Sequence, residues 1–171
     1  NAHIAGNAKF MAVEKEGGQI DALTFVPDGE PGLDLDLAKH IHALKGFGVK
    51  IAIISNATML PDAAVREAFS LADWVSVKVD SLDEAVWRKI NRPYGRLRLD
   101  AVLEGIRCFA KDYQGELVTE TMLIQDLNDS IEIAAAGADF IAGIKPAAAY
   151  LSIPSRPPLE SWVKPPANDV L

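Results

Sequence analysis

An α/β fold built on an open parallel sheet, a partial (β/α)6 barrel of TIM-like type, is predicted by three features of the sequence. Short apolar, β-branched runs alternate with segments of helical periodicity, the pattern of repeated βα units. The runs are almost continuously apolar, as covered strands should be. A length of 171 residues with 49% hydrophobic and 24% charged residues suits one domain with a filled core, and excludes disorder, collagen-like repeats or a coiled coil as the whole chain.

Five strands are predicted in order: Ile20 to Val26, Lys50 to Ile54, Trp74 to Val79, Leu117 to Ile124 and Ala148 to Ile153. Between the first two, Asp34 is placed to cap a helix carrying Leu37, Ile41 and Leu44 on one face, with Gly46 and Gly48 at its exit. Pro61 and Asp62 open a helix with Val65 and Phe69 inward, and Ser81 and Glu84 have capping-box spacing ahead of Val86 and Ile90. A longer helix follows with Val102, Ile106 and Phe109, and Asp129 and Glu132 open another from Ser130 to about Ile144. Phe10, Met11 and Val13 lie in a helix-compatible stretch ahead of the first strand, which implies a further strand before it. Five strands seen and one inferred are too few for a closed eight-stranded barrel of about 250 residues, so the sheet is expected to stay open, its first strand missing. The expected boundaries are a core over 1–153 and an extended strap over 154–171, where Pro154, Pro157, Pro158, Pro165 and Pro166 forbid a regular helix.

A net charge of -7 repels phosphate polymers and anionic membranes, so any nucleic-acid contact would have to be local. One cysteine, Cys108, excludes an internal disulfide framework and cannot alone hold zinc or an iron-sulfur cluster, which fits a reducing, cytoplasmic setting. No apolar stretch approaches the ~18 residues of a membrane span. His40 and His42, two apart on a helix, face different ways and make a poor metal pair.

The candidate site lies at the strand C-termini, which right-handed crossovers collect on one edge. The first strand ends in Asp28-Gly29-Glu30, a sharp turn with carboxylates suited to a cationic amino group, and the second in Ser55-Asn56, short groups able to pair with carboxylate or hydroxyl. On the third, Ser76, Lys78 and Asp80 share one face, and a lysine and an aspartate on a covered strand are costly unless paired or used. The fourth holds Thr119, Glu120 and Thr121 within an apolar run. After the third, Arg92 lies in a basic loop flanked by Trp87 and Tyr94; with Arg156 near the last strand, it is a candidate for holding a substrate anion.

Taken in succession, Asp28-Gly29-Glu30-Pro31, Ser55-Asn56-Ala57, Val77-Lys78-Val79-Asp80, Asn128-Asp129 and Ile153-Pro154-Ser155-Arg156-Pro157-Pro158 resemble the radical S-adenosylmethionine (SAM) enzymes, in the branch that includes activating enzymes and wyosine-base-forming proteins. The resemblance implies a [4Fe-4S] cluster and SAM at the open edge, reductive cleavage of SAM to a 5′-deoxyadenosyl radical, and an external electron donor. It assigns Asp28, Gly29 and Glu30 to the methionine amino group; Ser55, Asn56, Lys78 and Asp80, with Glu120 and Thr121 nearby, to ribose and carboxylate; and Ile153 and Pro154 to the adenine. Asp28 departs from the family's Gly-Gly-Glu. The family's three-cysteine motif is absent from the chain and is expected upstream of Asn1, so these residues alone are expected to be inactive.

Two other readings stay open: a barrel lyase in which Lys78 forms a Schiff base with Glu120 or Asp80 moving protons, and a cluster-free binding module. Self-association through the open sheet edge is also expected.

Overall fold

The computed structural model describes residues 19–26 and 29–167. Its sheet has five strands, β1 (Ala22–Phe25), β2 (Lys50–Ser55), β3 (Trp74–Lys78), β4 (Glu116–Met122) and β5 (Ala148–Ser152). They pair in the order β1-β2-β3-β4-β5, every pair parallel. The helices α1 (Leu37–Lys45), α2 (Ala63–Phe69), α3 (Glu84–Asn91), α4 (Leu99–Asp112) and α5 (Ile131–Ile144) fall between them, with α3 and α4 sharing the β3–β4 connection. Sequential order with right-handed crossovers puts every helix on the same face, which is the open part-barrel expected from the sequence. The helix-compatible stretch around Phe10 lies outside the described residues.

Register shows which side chains meet the helices. Leu23 and Phe25 align with Ile51 and Ile53, and Ile53 with Val75 and onward to Leu117, forming the inner wall of the core. Leu37, Ile41, Phe69, Val102, Ile106 and Phe109 close it from the helices. Phe109 meets Phe69 edge-on at 6.2 Å and stacks on Tyr113 at 4.6 Å. The helix α4 comes so close to the loop before α2 that a Cβ on Gly105 would lie 2.5 Å from the Leu60 carbonyl carbon, which leaves glycine as the residue that fits.

Three helix starts differ from the sequence reading by a residue or more. Asp36 occupies the cap position of α1 without a side-chain cap bond; Asp34 instead accepts from the Asp36 N–H at 2.9 Å and meets the His40 ring. The cap of α3 is Asp83, accepting from Val86 N–H, while Ser81 accepts from Asp83 N–H and Glu84 reaches forward to Leu99 N–H. Ser130 caps α5 by accepting from Ile133 N–H. In each case a neighbouring short oxygen side chain competes for the same orphan N–H groups, and tertiary contacts select among them.

After β5 the described chain forms neither helix nor strand; it bends, turns where Val163 N–H donates to the Glu160 carbonyl, and returns against the loop after β4. Gln125 N–H donates to the Lys164 carbonyl at 2.9 Å, and Pro166 is buried. Among the described residues no helix is long and apolar enough to cross a membrane.

Candidate SAM site at the strand edge

The face opposite the helices carries Thr24, Ala52, Ile54, Trp74, Ser76, Lys78, Val118, Glu120, Tyr150 and Ser152 in register. Its polar members gather toward the strand C-termini. Lys78 is paired directly with Glu120 across β3 and β4. Its ammonium stands 3.7 Å from Asp80 Oδ2 and 4.0 Å from Glu120 Oε1, with a quarter of the side chain exposed. Ser152 Oγ donates to the same Glu120 oxygen at 3.0 Å.

Asp80 is built in. Its side chain is fully buried, its Oδ1 accepts from Met122 N–H at 2.8 Å and its Oδ2 from Asn91 Nδ2 at 2.8 Å. A second knot lies beside it. Asn128, 1% exposed, donates from Nδ2 to the carbonyls of Asp80 and Met122, both at 2.8 Å, and accepts from Ile124 N–H at 2.7 Å. Three backbone groups that lack a strand partner at the ends of β3 and β4 are satisfied by one amide, as burial demands. The sequence reading used Asn128 only within a motif and left Asn91 unassigned. A buried asparagine just after an apolar strand was the signal available for the first; α3 folding back over Asp80 gave none for the second.

The neighbouring corner belongs to Glu30. Its Oε1 accepts from Ser55 Oγ and from Gly32 N–H, and its Oε2 accepts from Asn56 N–H at 2.9 Å. Ser55 also accepts from Ala57 N–H, while Asn56 Oδ1 accepts from Thr58 N–H and Oγ1. Between them Ala57 has φ of 64°, a left-handed conformation that an alanine adopts at a cost of about 1 kcal/mol or more. The carboxylate and the asparagine hold that loop in place.

Lys78, Asp80 and Glu120 therefore meet, and Glu30, Ser55 and Asn56 meet, as two clusters along one sheet edge; no described contact joins Glu30 to Lys78. Ser55, in register with Val77, shares the helix-side face of β2 with Ile51 and Ile53 and donates to Glu30, and Thr121 donates its hydroxyl to the Val79 carbonyl at 2.7 Å, so both hydroxyls have protein partners. Ile153 is 39% exposed and Pro154 half-buried where β5 ends. Gly29 is exposed, and Asp28 lies outside the described residues. Arg92 forms an ion pair with Glu160 of the strap, and Arg156 is exposed. Cys108 lies in a surface cleft between α2 and α4, near Glu104.

The donor set fits SAM, a zwitterionic nucleoside, because it offers a carboxylate corner, an ammonium and neutral amide groups along one edge. It does not fit an iron-sulfur cluster: one cysteine between two outer helices cannot supply three thiolates.

No protein-family model matches the chain. It is 43% identical over 167 residues to a UPF0026 protein of Methanocaldococcus jannaschii, covering 95% of this chain and 52% of that protein. The name carries no activity, and this chain spans about half the length of the curated UPF0026 relatives it matches. A shorter match, 30% identical over 86 residues, covers 44% of this chain and 31% of an S-adenosylmethionine-dependent nucleotide dehydratase of a Thermoplasmatales archaeon. Among solved structures, a domain of the pyruvate-formate lyase-activating enzyme from Bacteroides vulgatus superposes with a TM-score of 0.68 at 19% identity, covering 86% of each chain. Streptococcus suis SuiB bound to S-adenosylmethionine superposes with a TM-score of 0.67 at 16% identity, covering 92% of this chain and 35% of SuiB. A radical SAM methyltransferase from Sphaerobacter thermophilus superposes with a TM-score of 0.67 at 16% identity, covering 94% of this chain and 48% of that one, so the parallel part-barrel is a fold shared with such enzymes; by its sequence the chain belongs to the UPF0026 family.

Proposed function

We propose that this chain forms the SAM-binding part of a radical SAM enzyme, with the cluster thiolates supplied by sequence outside these 171 residues. The observation that carries the reading is Lys78 between Asp80 and Glu120 on the helix-free face, at the strand edge where parallel α/β sheets hold ligands. SAM, when bound, supplies a sulfonium that one-electron reduction cleaves to start radical chemistry.

The residues have separable tasks. Lys78 presents a cation to the ligand carboxylate while its two acidic neighbours hold the ammonium at their shared corner. Glu30, already accepting from Gly32, Ser55 and Asn56, fixes a negative corner that keeps one acceptor site, on Oε2, for the ligand amino group. Asp80 and Asn128 act on position, tying the ends of β3 and β4 so that Lys78 and Glu120 stay in register. Ile153 and Pro154 offer backbone at the end of β5 for the adenine.

Isothermal titration calorimetry with SAM on the chain tests the reading. Saturable binding that weakens about tenfold or more in Lys78→Met supports it; no binding, or equal binding by the variant, overturns it. Trapping a keto acid on Lys78 with borohydride, without SAM binding, would favour the Schiff-base lyase instead.

A further inference from the structure

The strap beyond β5 is fastened beside the candidate site by contacts of two kinds. Its far end is anchored through the Lys164 carbonyl and buried Pro166. Nearer β5 the contacts are superficial: Glu160 pairs with the Arg92 guanidinium at 2.5 Å, and the Lys89 ammonium lies 4.9 Å from the centre of the Trp162 ring. Both members of the ion pair are well exposed, at 54% and 38%. Such pairs contribute little and are screened by salt, so exchanging one carboxylate for another anion costs little.

Arg92 is placed by the fold rather than by Glu160. It is the left-handed C-cap of α3, with φ of 45° and its N–H bonded to the Arg88 carbonyl. It directly follows Asn91, whose amide donates to buried Asp80, so the C-terminal end of α3 adjoins the Lys78 cluster. Of the neighbouring cations, Arg88 is committed to Glu84 and the Leu97 carbonyl and Arg98 to Asp100, while Arg96 is exposed in the loop. Among the described residues, the Arg92 and Lys89 side chains meet the strap, at Glu160 and Trp162. In a chain of net charge -7, two cations of the last turn and C-cap of α3 are covered by one acidic side chain and one indole of the tail. The Arg92 guanidinium, by its hydrogen bond and then its charge, holds the Glu160 carboxyl below its ordinary value, with Trp162 adding a weaker hydrogen bond.

We propose that Arg92 and Lys89 form an oxyanion subsite for the substrate, that Glu160 occupies it in the free protein, and that a phosphate- or carboxylate-bearing substrate enters by displacing Glu160 and lifting this stretch of strap. The planar guanidinium fork suits a bidentate oxyanion, and the ammonium adds a second charge for a multiply ionised group. The inference rests on the proposed SAM site for its role, since the subsite would hold the second ligand beside SAM.

The test follows the Trp162 indole N–H by NMR, identified with Trp162→Phe, while pyrophosphate or citrate is added at constant ionic strength against a chloride control. A saturable shift is expected, tightened two- to fivefold in Glu160→Gln, as loss of a weak competing pair implies, and weakened about tenfold in Arg92→Gln. Stronger response to pyrophosphate marks a phosphate-bearing substrate, and stronger response to citrate a carboxylate-bearing one. Binding that is unchanged in Glu160→Gln or in Arg92→Gln, or a shift that chloride reproduces, overturns the inference. Calorimetry with SAM is read separately: oxyanion competition without SAM binding sinks the SAM reading alone, and SAM binding without competition sinks the subsite alone.

Discussion

The two corners of the candidate site are held by different means. At the β3–β4 corner a buried asparagine and a buried aspartate tie backbone to backbone, and the functional cation, Lys78, stands 3.7 and 4.0 Å from its acids, outside hydrogen-bond range. At the β1–β2 corner the functional group is itself the fastener, because Glu30 takes three hydrogen bonds from the loop it orders. The first arrangement separates support from recognition; the second merges them. A substitution at Lys78 should therefore change binding alone, whereas one at Glu30 should change binding and folding together.

The largest effect tests the support at the first corner. Asn128→Ala strands three buried backbone groups, and a loss of about 3 kcal/mol or more is expected from urea denaturation. A loss below about 1 kcal/mol would mean that water replaces the amide and the knot is dispensable. Next, Glu30→Ala should cost about 2 kcal/mol in the same measurement and also weaken SAM binding, since charged acceptors contribute more than neutral ones. Stability unchanged with binding lost would erase the contrast between the corners. Lys78→Met should shift stability by less than about 1 kcal/mol while reducing SAM affinity about tenfold, because an ammonium beyond hydrogen-bond distance and partly exposed adds little to folding.

The smallest effect concerns the strap. The Glu160 carboxyl is depressed in the folded protein, so its contribution is present above the ordinary glutamate value and is lost as pH falls through the lowered folded value. Strap release, followed by the Trp162 indole signal, should appear under acid conditions and vanish in Glu160→Gln. A wild-type profile in that variant would assign the transition to another group.

Much of the architecture was legible from the chain. Runs such as Lys50–Ser55 and Trp74–Lys78 are apolar enough to be read as covered strands, and their spacing around helical periods implied parallel crossovers. Lys78 and Asp80 stood out because charge inside an apolar run is costly. Ser55 and Thr121 were less readable, since a hydroxyl at a strand end looks the same whether it faces a ligand or closes a turn. Arg92 was visible as an anion-binding residue, but its partner Glu160 lies 68 positions later in sequence, and no local pattern links them.

By itself the sequence determined the alternation of strand and helix, the face of the third strand that Ser76 and Lys78 share, and a single cysteine, too few to hold an iron-sulfur cluster. Those follow from periodicity, pleat and composition, which are properties of neighbouring residues. Tertiary structure alone decided that Asn128 and Asn91 brace Asp80, that Glu30 fastens the loop after β2, and that the strap covers Arg92. Each of those depends on groups far apart in the chain finding hydrogen-bond or charge partners once the sheet has brought their strands together.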